Sequence, residues 1–268
     1  MHTSITFATK IIYNLKPKKT MGLLAVNSDA KTSKGQKLGY FTGIMYQSPH
    51  KMANGQTNVC GHATPRCIDA CLNTSGRGAF SNVQSARINK TLEYLEDPKK
   101  FMVNIYKEIV KLQKKYGNSL AIRLNGTSDL PFENIKVVLE DRYYSNIFEA
   151  FPNVQFYDYT KNPRRALTNK IGNYYLTFSR AETKLNIEYS RNLLNEGKNV
   201  AMVFSKELHE KLVKMGKIVY NNREVNVIDG DETDLRFLDM PNSIVALKAK
   251  GKAIKDTSGF VIRTIEEI

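Results

Sequence analysis

Cys60, Cys67 and Cys71 are the chain's three cysteines, and all lie within the twelve residues CGHATPRCIDAC. An odd count, with none elsewhere, does not suit a disulfide framework. Thiols this close in a chain of reduced cysteines commonly share a metal. Three readings are open. One is an iron–sulfur cluster held by three thiolates, which in a 4Fe-4S cluster leaves one iron for a non-protein ligand. Another is zinc, with His62 completing a Cys3His set. The third is three small buried hydrophobes with no metal. Iron is favoured, because the cysteines sit in a long loop after a strand and alternating strands and helices follow. If Cys67 and Cys71 share a helical turn, their i, i+4 spacing puts both sulfurs on one face.

The elements that would position these thiols are legible in the apolar pattern. Leu38 to Tyr46 reads as a strand leading into the cysteine loop. A helix is expected from Ser81, and a second from Pro98 to the stop at Gly117. Phe101, Ile105, Ile109, Leu112 and Tyr116 fall on one face of that second helix as a core stripe. Then strand and helix alternate. Strands are expected at Leu120–Leu124, Val154–Tyr159, Tyr174–Phe178, Val200–Phe204, Val225–Asp229 and Ser243–Ala249. Helices are expected near 135–151, over 184–196 and after Ser205. This order predicts an α/β fold, a full or partial (β/α) barrel with the cysteine loop after its first strand. Residues 1–268 read as one domain, with 1–37 as an N-terminal extension.

Parallel strands would gather the residues that follow them at one rim, where chemistry collects. Those residues are Asn125, Gly126, Thr127, Ser128 and Asp129, then Thr160, Lys161, Arg164 and Arg165, then Ser179, Arg180 and Glu182. The acidic run IDGDETD, with Asp229, Asp231, Glu232 and Asp234, could bind a divalent metal for a hydrolytic nuclease. A solvated acidic turn is the favoured reading of it. His209 is expected at the surface of a helix and takes no role.

Charge narrows the partner. The 40 basic and 26 acidic residues leave a net charge of +14. Twelve of these excess charges fall in residues 1–120, the stretch that holds the cysteines. A one-sided basic field favours nucleic acid or another polyanion. Tyr13, Lys16, Lys18, Lys19, Lys31, Lys34, Lys37, Tyr40 and Tyr46 are candidate contacts. No apolar run is long enough to span a membrane, and the N-terminus has no secretory pattern.

Two resemblances follow from these motifs. The cysteine loop after a strand, with LNGTSDLPFE after the next, resembles the radical S-adenosylmethionine superfamily. The usual spacing there is C-x3-C-x2-C. That resemblance implies a 4Fe-4S cluster on Cys60, Cys67 and Cys71, with S-adenosylmethionine on its open iron. Asn125, Gly126 and Asp129 would hold the ammonium group, and Lys161 or Arg180 the carboxylate. The stretches NSDAKTSKG, RLNGTSD and YDYTK, together with the cysteines, are similar to the phage and plasmid gene-product-eighty-eight family. This second resemblance implies a mobile-element protein of the host cytoplasm and no settled reaction. The expectation is an iron–sulfur protein acting on nucleic acid, or a non-enzymatic cluster or zinc protein that binds it.

Overall fold

The computed structural model describes residues 22–26, 30–220 and 222–268. Tyr13, Lys16, Lys18, Lys19 and the segment 27–29 lie outside the described residues, as does the Lys31 side chain. Strand β1 (Ala25–Val26) and helix α1 (Ala30–Gly35) precede β2 (Phe41–Ile44). The cysteine loop carries α2 (Pro65–Asp69), followed by α3 (Ser81–Glu96), α4 (Pro98–Tyr116) and β3 (Leu120–Arg123). A small hairpin, β4 (Val137–Val138) and β5 (Tyr143–Tyr144), leads to α5 (Ile147–Ala150). Then come β6 (Gln155–Thr160), α6 (Pro163–Thr168), β7 (Tyr174–Ser179), α7 (Lys184–Asn195), β8 (Val200–Phe204) and α8 (Lys206–Met215). The last strands are β9 (Lys217–Tyr220), β10 (Arg223–Asp229), β11 (Ser243–Lys248) and β12 (Val261–Ile262).

One sheet runs in the order β1-β2-β3-β6-β7-β8-β11-β10-β9, with β12 also paired to β8. Strands β2, β3, β6, β7, β8, β11 and β10 are parallel. The fold is therefore α/β with a mostly parallel central sheet. Of the expected full or partial barrel, the full one is not seen, because among the described residues the sheet is not closed. The final crossover places β11 inside β10, and antiparallel β1 and β9 end the two sides without meeting. Since β1 pairs with β2, part of the expected N-terminal extension belongs to the sheet.

Local chemistry explains the helices. Asp97 caps α4 by accepting from the Lys100 amide, Pro98 needs no amide partner, and Gly117 turns out at φ +55°. Phe101, Ile105 and Ile109 are fully buried, each stabilising by roughly 1.5–3 kcal/mol. The expected helix over 135–151 is instead the β4–β5 hairpin and a short α5. The β-branched and aromatic pairs Val137–Val138 and Tyr143–Tyr144 prefer a pleated surface. The Leu139 amide closes the turn between them on the Arg142 carbonyl at 2.8 Å.

The two faces of the sheet are filled differently. One face carries the longer helices, in clusters around Phe101, Ile122 and Phe156 and around Leu193, Met202 and Leu212. On the other face Ala121 and Tyr157 pack against Leu235, which returns from the β10–β11 connection. That connection carries the acidic run, and the run is not a solvated turn. Asp234 is buried, and its carboxylate lies 2.5 Å from Arg123 Nη1. Burial alone would lower the Arg123 pKa, but Asp234 more than reverses this and keeps it charged.

His209 is also buried, contrary to the surface expectation. Its Nε2 lies 3.2 Å from the Ala246 carbonyl and 3.3 Å from Asp229. Both neighbours are acceptors, so Nε2 carries the proton. Asp231 accepts from Lys250 at 2.6 Å. The acidic run is thus fastened to the sheet by one arginine, one histidine and one lysine.

Removing one member of a buried pair strands the other. We expect Asp234→Ala to cost roughly 3–5 kcal/mol in urea unfolding. Replacing Arg123 and Asp234 together by Met and Leu should cost clearly less, and equal losses would refute the buried-pair account.

Candidate functional site

The parallel strands bring the expected residues to one rim, and the buried carboxylate of Asp158 in β6 organises them. It accepts from the Asn125 amide at 2.8 Å, from Asn125 Nδ2 at 3.2 Å and from the Tyr174 hydroxyl at 3.1 Å. Burial pushes its pKa up to about 7, with Arg123 opposing the rise. Asn125 in turn donates to the Leu130 carbonyl and accepts from Ser128 and the Leu130 amide. Its side chain thereby sets the loop 125–130 as a rigid turn.

That loop clasps the start of the cysteine segment. The Asp129 amide donates to the Val59 carbonyl at 2.9 Å. The Cys60 thiol donates to the Thr127 carbonyl at 3.6 Å and accepts from the His50 amide at 3.4 Å. Gly126 sits where a Cβ would be 2.6 Å from the Met45 carbonyl and 2.7 Å from the Tyr46 ring. No other residue fits there without moving backbone.

The other two cysteines are placed by α2. Thr64 caps it by accepting from the Cys67 amide, and Pro65 follows. The Thr64 hydroxyl also donates to Glu182 beyond β7 at 2.8 Å, which pins the loop to the rim. Cys67 packs with Ala70, Ala181 and Phe260. Cys71 follows the helix, near Arg87. Burial raises the Cys71 pKa and pushes the Cys60 thiol up to about 12. Cys60 feels the charge of Cys71 and Cys67, and Cys71 that of Cys67, so the three lie near one another.

Two cations flank that region. Lys161 is half-buried, and loss of solvent lowers its pKa. Its Nζ donates to the Ser179 carbonyl, the Ser179 hydroxyl and the Arg180 carbonyl at 2.8–3.0 Å. All three partners are neutral, and Cys67, Asp129 and Glu182 lie farther out. Arg87 is buried, held by Asn73 and stacked 4.9 Å from the Tyr46 ring centre. Among the described residues neither cation forms an ion pair with a carboxylate. An uncompensated buried charge is costly unless an anion is nearby, and three thiolates would be one.

The remaining expected residues are turned elsewhere. Asp129 is engaged by Arg165, the Thr160 hydroxyl and the Lys161 amide. Arg180 lies on the helix side and donates to the Gly259 and Glu267 carbonyls. His62 is exposed. A cavity of about 200 Å³ opens beside it, lined by Asn58, Asp129, Leu130 and Arg165. Sequence reasoning missed Thr64 and Gln47. The Thr-Pro helix start at Thr64 was a usable signal. Gln47, which accepts from Ser128 and Thr127, had none.

The ligand spacing bears on zinc alone. Zinc at ~2.3 Å from each sulfur holds its ligand atoms roughly 3.8 Å apart. Among the described residues, the only His, Cys, Asp or Glu trio with all ligand atoms within 4.8 Å is His209, Asp229 and Asp231. The cysteines and His62 are not at zinc spacing.

Fold and site together define an α/β protein with a three-thiol loop at the C-terminal rim of a parallel sheet. The model of the family described as Gene product 88 matches residues 21–264, and the chain belongs to that family. No curated protein and no solved structure matches it. Among the described residues no helix is long and apolar enough to cross a membrane.

Two outcomes test this construction. Gly126→Ala should lose roughly 1–3 kcal/mol of stability and loosen the Cys60 contacts, measured by unfolding and by faster alkylation of Cys60. Asp158 has a folded pKa near 7 against an ordinary 3.8, so the folded chain holds a proton that the unfolded chain has released. Its contribution therefore falls as pH rises from about 4 to about 7. Asp158→Asn should flatten that decline in stability, and an unchanged slope would count against the assignment.

Proposed function

We propose that the protein binds an iron–sulfur cluster through Cys60, Cys67 and Cys71. The observation that carries this is the pair of cations, half-buried Lys161 and buried Arg87, beside three thiols and without a carboxylate ion pair among the described residues. Three thiolates on a four-iron core in its oxidised state carry about −1 overall. Lys161 and Arg87 offset that charge at a partly buried site. The rigid turn at 125–130 supplies fixed support for Cys60. When bound, such a cluster supplies one-electron chemistry or a Lewis-acidic iron. The chain's own part is to hold three thiolates, leave one metal position for another ligand and tune the charge around it.

The reading does not extend to S-adenosylmethionine. Asn125, Asp129, Lys161 and Arg180, which the radical-enzyme resemblance would use for it, spend their polar atoms within the fold. Membership of the family fits a phage-encoded protein, and reduced thiols fit the host cytoplasm.

Protein purified without oxygen should contain about four irons and four sulfides per chain, with broad visible absorbance. Cys60→Ser, Cys67→Ser and Cys71→Ser should each abolish that absorbance while leaving the far-ultraviolet dichroism of the chain in place. Lys161→Met should retain iron but move the reduction potential to a more negative value, since a nearby positive charge favours the reduced cluster. One zinc per chain with no iron would overturn the reading.

A further inference from the structure

Outside the thiols, the rim carries a surface that the cluster does not use. Three segments meet there. The Met52 sulfur lies 3.5 Å from Asn73 Nδ2, joining residues 50–53 to the turn after α2. Gly251 abuts the Ser75 side chain so closely that a Cβ would lie 2.4 Å from its oxygen. Ala70 and Ala253 share one buried cluster with Cys67 packed on it. The surface therefore lies directly over the cysteine loop.

Its composition is unusual in two respects. Lys51, Arg77, Lys252 and Lys255 are exposed, and none forms an ion pair among the described residues. The acids nearby are already engaged. Asp69 pairs with Arg66, Asp231 with Lys250, and Asp256 accepts from Ser258 and the Val261 amide. The same segments expose large apolar side chains. Phe80 is 61% exposed, Ile254 59% and Leu72 53%. Phe80 sits three residues beyond Arg77, and its amide donates to the Arg77 carbonyl.

We infer that this face binds single-stranded nucleic acid across the mouth of the cysteine loop. Unpaired cations at intervals suit a phosphate backbone, and an exposed phenylalanine ring among them suits an unstacked base. A duplex would meet the cations but leave the apolar side chains facing its sugar-phosphate wall. The inference stands on the surface alone and does not require the cluster to be present.

The test is fluorescence anisotropy with a labelled 20-nucleotide oligothymidylate and the matching duplex, using the full-length protein. The single strand should bind more tightly than the duplex, and its affinity should fall steeply with salt. Lys252→Glu with Lys255→Glu should weaken binding at least tenfold and make the salt slope shallower by about 0.7 for each phosphate that is no longer neutralised. Phe80→Ala should weaken it roughly fivefold or more while leaving the salt slope unchanged. Lys111→Glu with Lys114→Glu, on the exposed side of α4, changes net charge equally and should have little effect. Thermal melts check that each variant is folded, and iron counts equal to the parent's keep this result separate from cluster loss. Equal losses from the two double variants would show that only the overall charge matters and would overturn the proposal. Tighter binding of the duplex, or no binding at low salt, would also overturn it.

Discussion

The buried carboxylate of Asp158 is the contact on which the rim depends. It lies at the centre of the parallel sheet and has no solvent to satisfy it. It therefore takes hydrogen bonds from β3's end and from Tyr174 in β7, and it draws Arg123 to 4.0 Å. The strand ends are locked in register by one side chain. Asn125 can then set a turn with no freedom left, and that turn fixes Cys60. A chain of direct contacts thus runs from a mid-sheet acid to the first thiol, each link a group that burial obliges to find a partner.

The same logic operates with opposite sign at Lys161 and Arg87. Several buried cations in the molecule are matched by acids. Arg123 has Asp234, Arg165 has Asp129 and Glu133, and Arg236 has Asp239. Arg180, on the helix side, rests on two backbone carbonyls instead. The two cations beside the thiols have only carbonyls, a hydroxyl, an amide and an aromatic face. On the proposed reading, they are kept for a negative charge that arrives with an occupant of the thiol site.

Much of the architecture was legible in the sequence. The strand cores were bounded within a residue or two at Val200–Phe204, Tyr174–Phe178 and Leu120–Leu124, because a parallel strand buried on both faces reads as an uninterrupted apolar run. The rim residues were legible for the same reason, since parallel strands send their following loops to one side. What was hidden depended on distant partners. Nothing near IDGDETD announces that Asp234 meets Arg123, so the run looked solvated. His209 looked like a surface residue because its neighbours in α8 are charged. Sheet closure was also out of reach, as the order of the last strands is set by packing and leaves no mark on local periodicity. Asn125 and Asp129 had the right chemistry for a ligand, yet the same polarity serves to bind the protein to itself.

The segment that folds back over the open side of the sheet has a consequence for synthesis. Arg123 and Asp234 are 111 residues apart in the chain. Contacts so far apart in sequence close slowly and late. As the polypeptide leaves the ribosome, the strands that carry the thiol loop are complete long before the acid that covers their far face exists. During that interval Arg123 and Tyr157 stand uncovered, and the nascent sheet is open on one side to other chains. The order of synthesis therefore places the thiol loop well before the lid of the core.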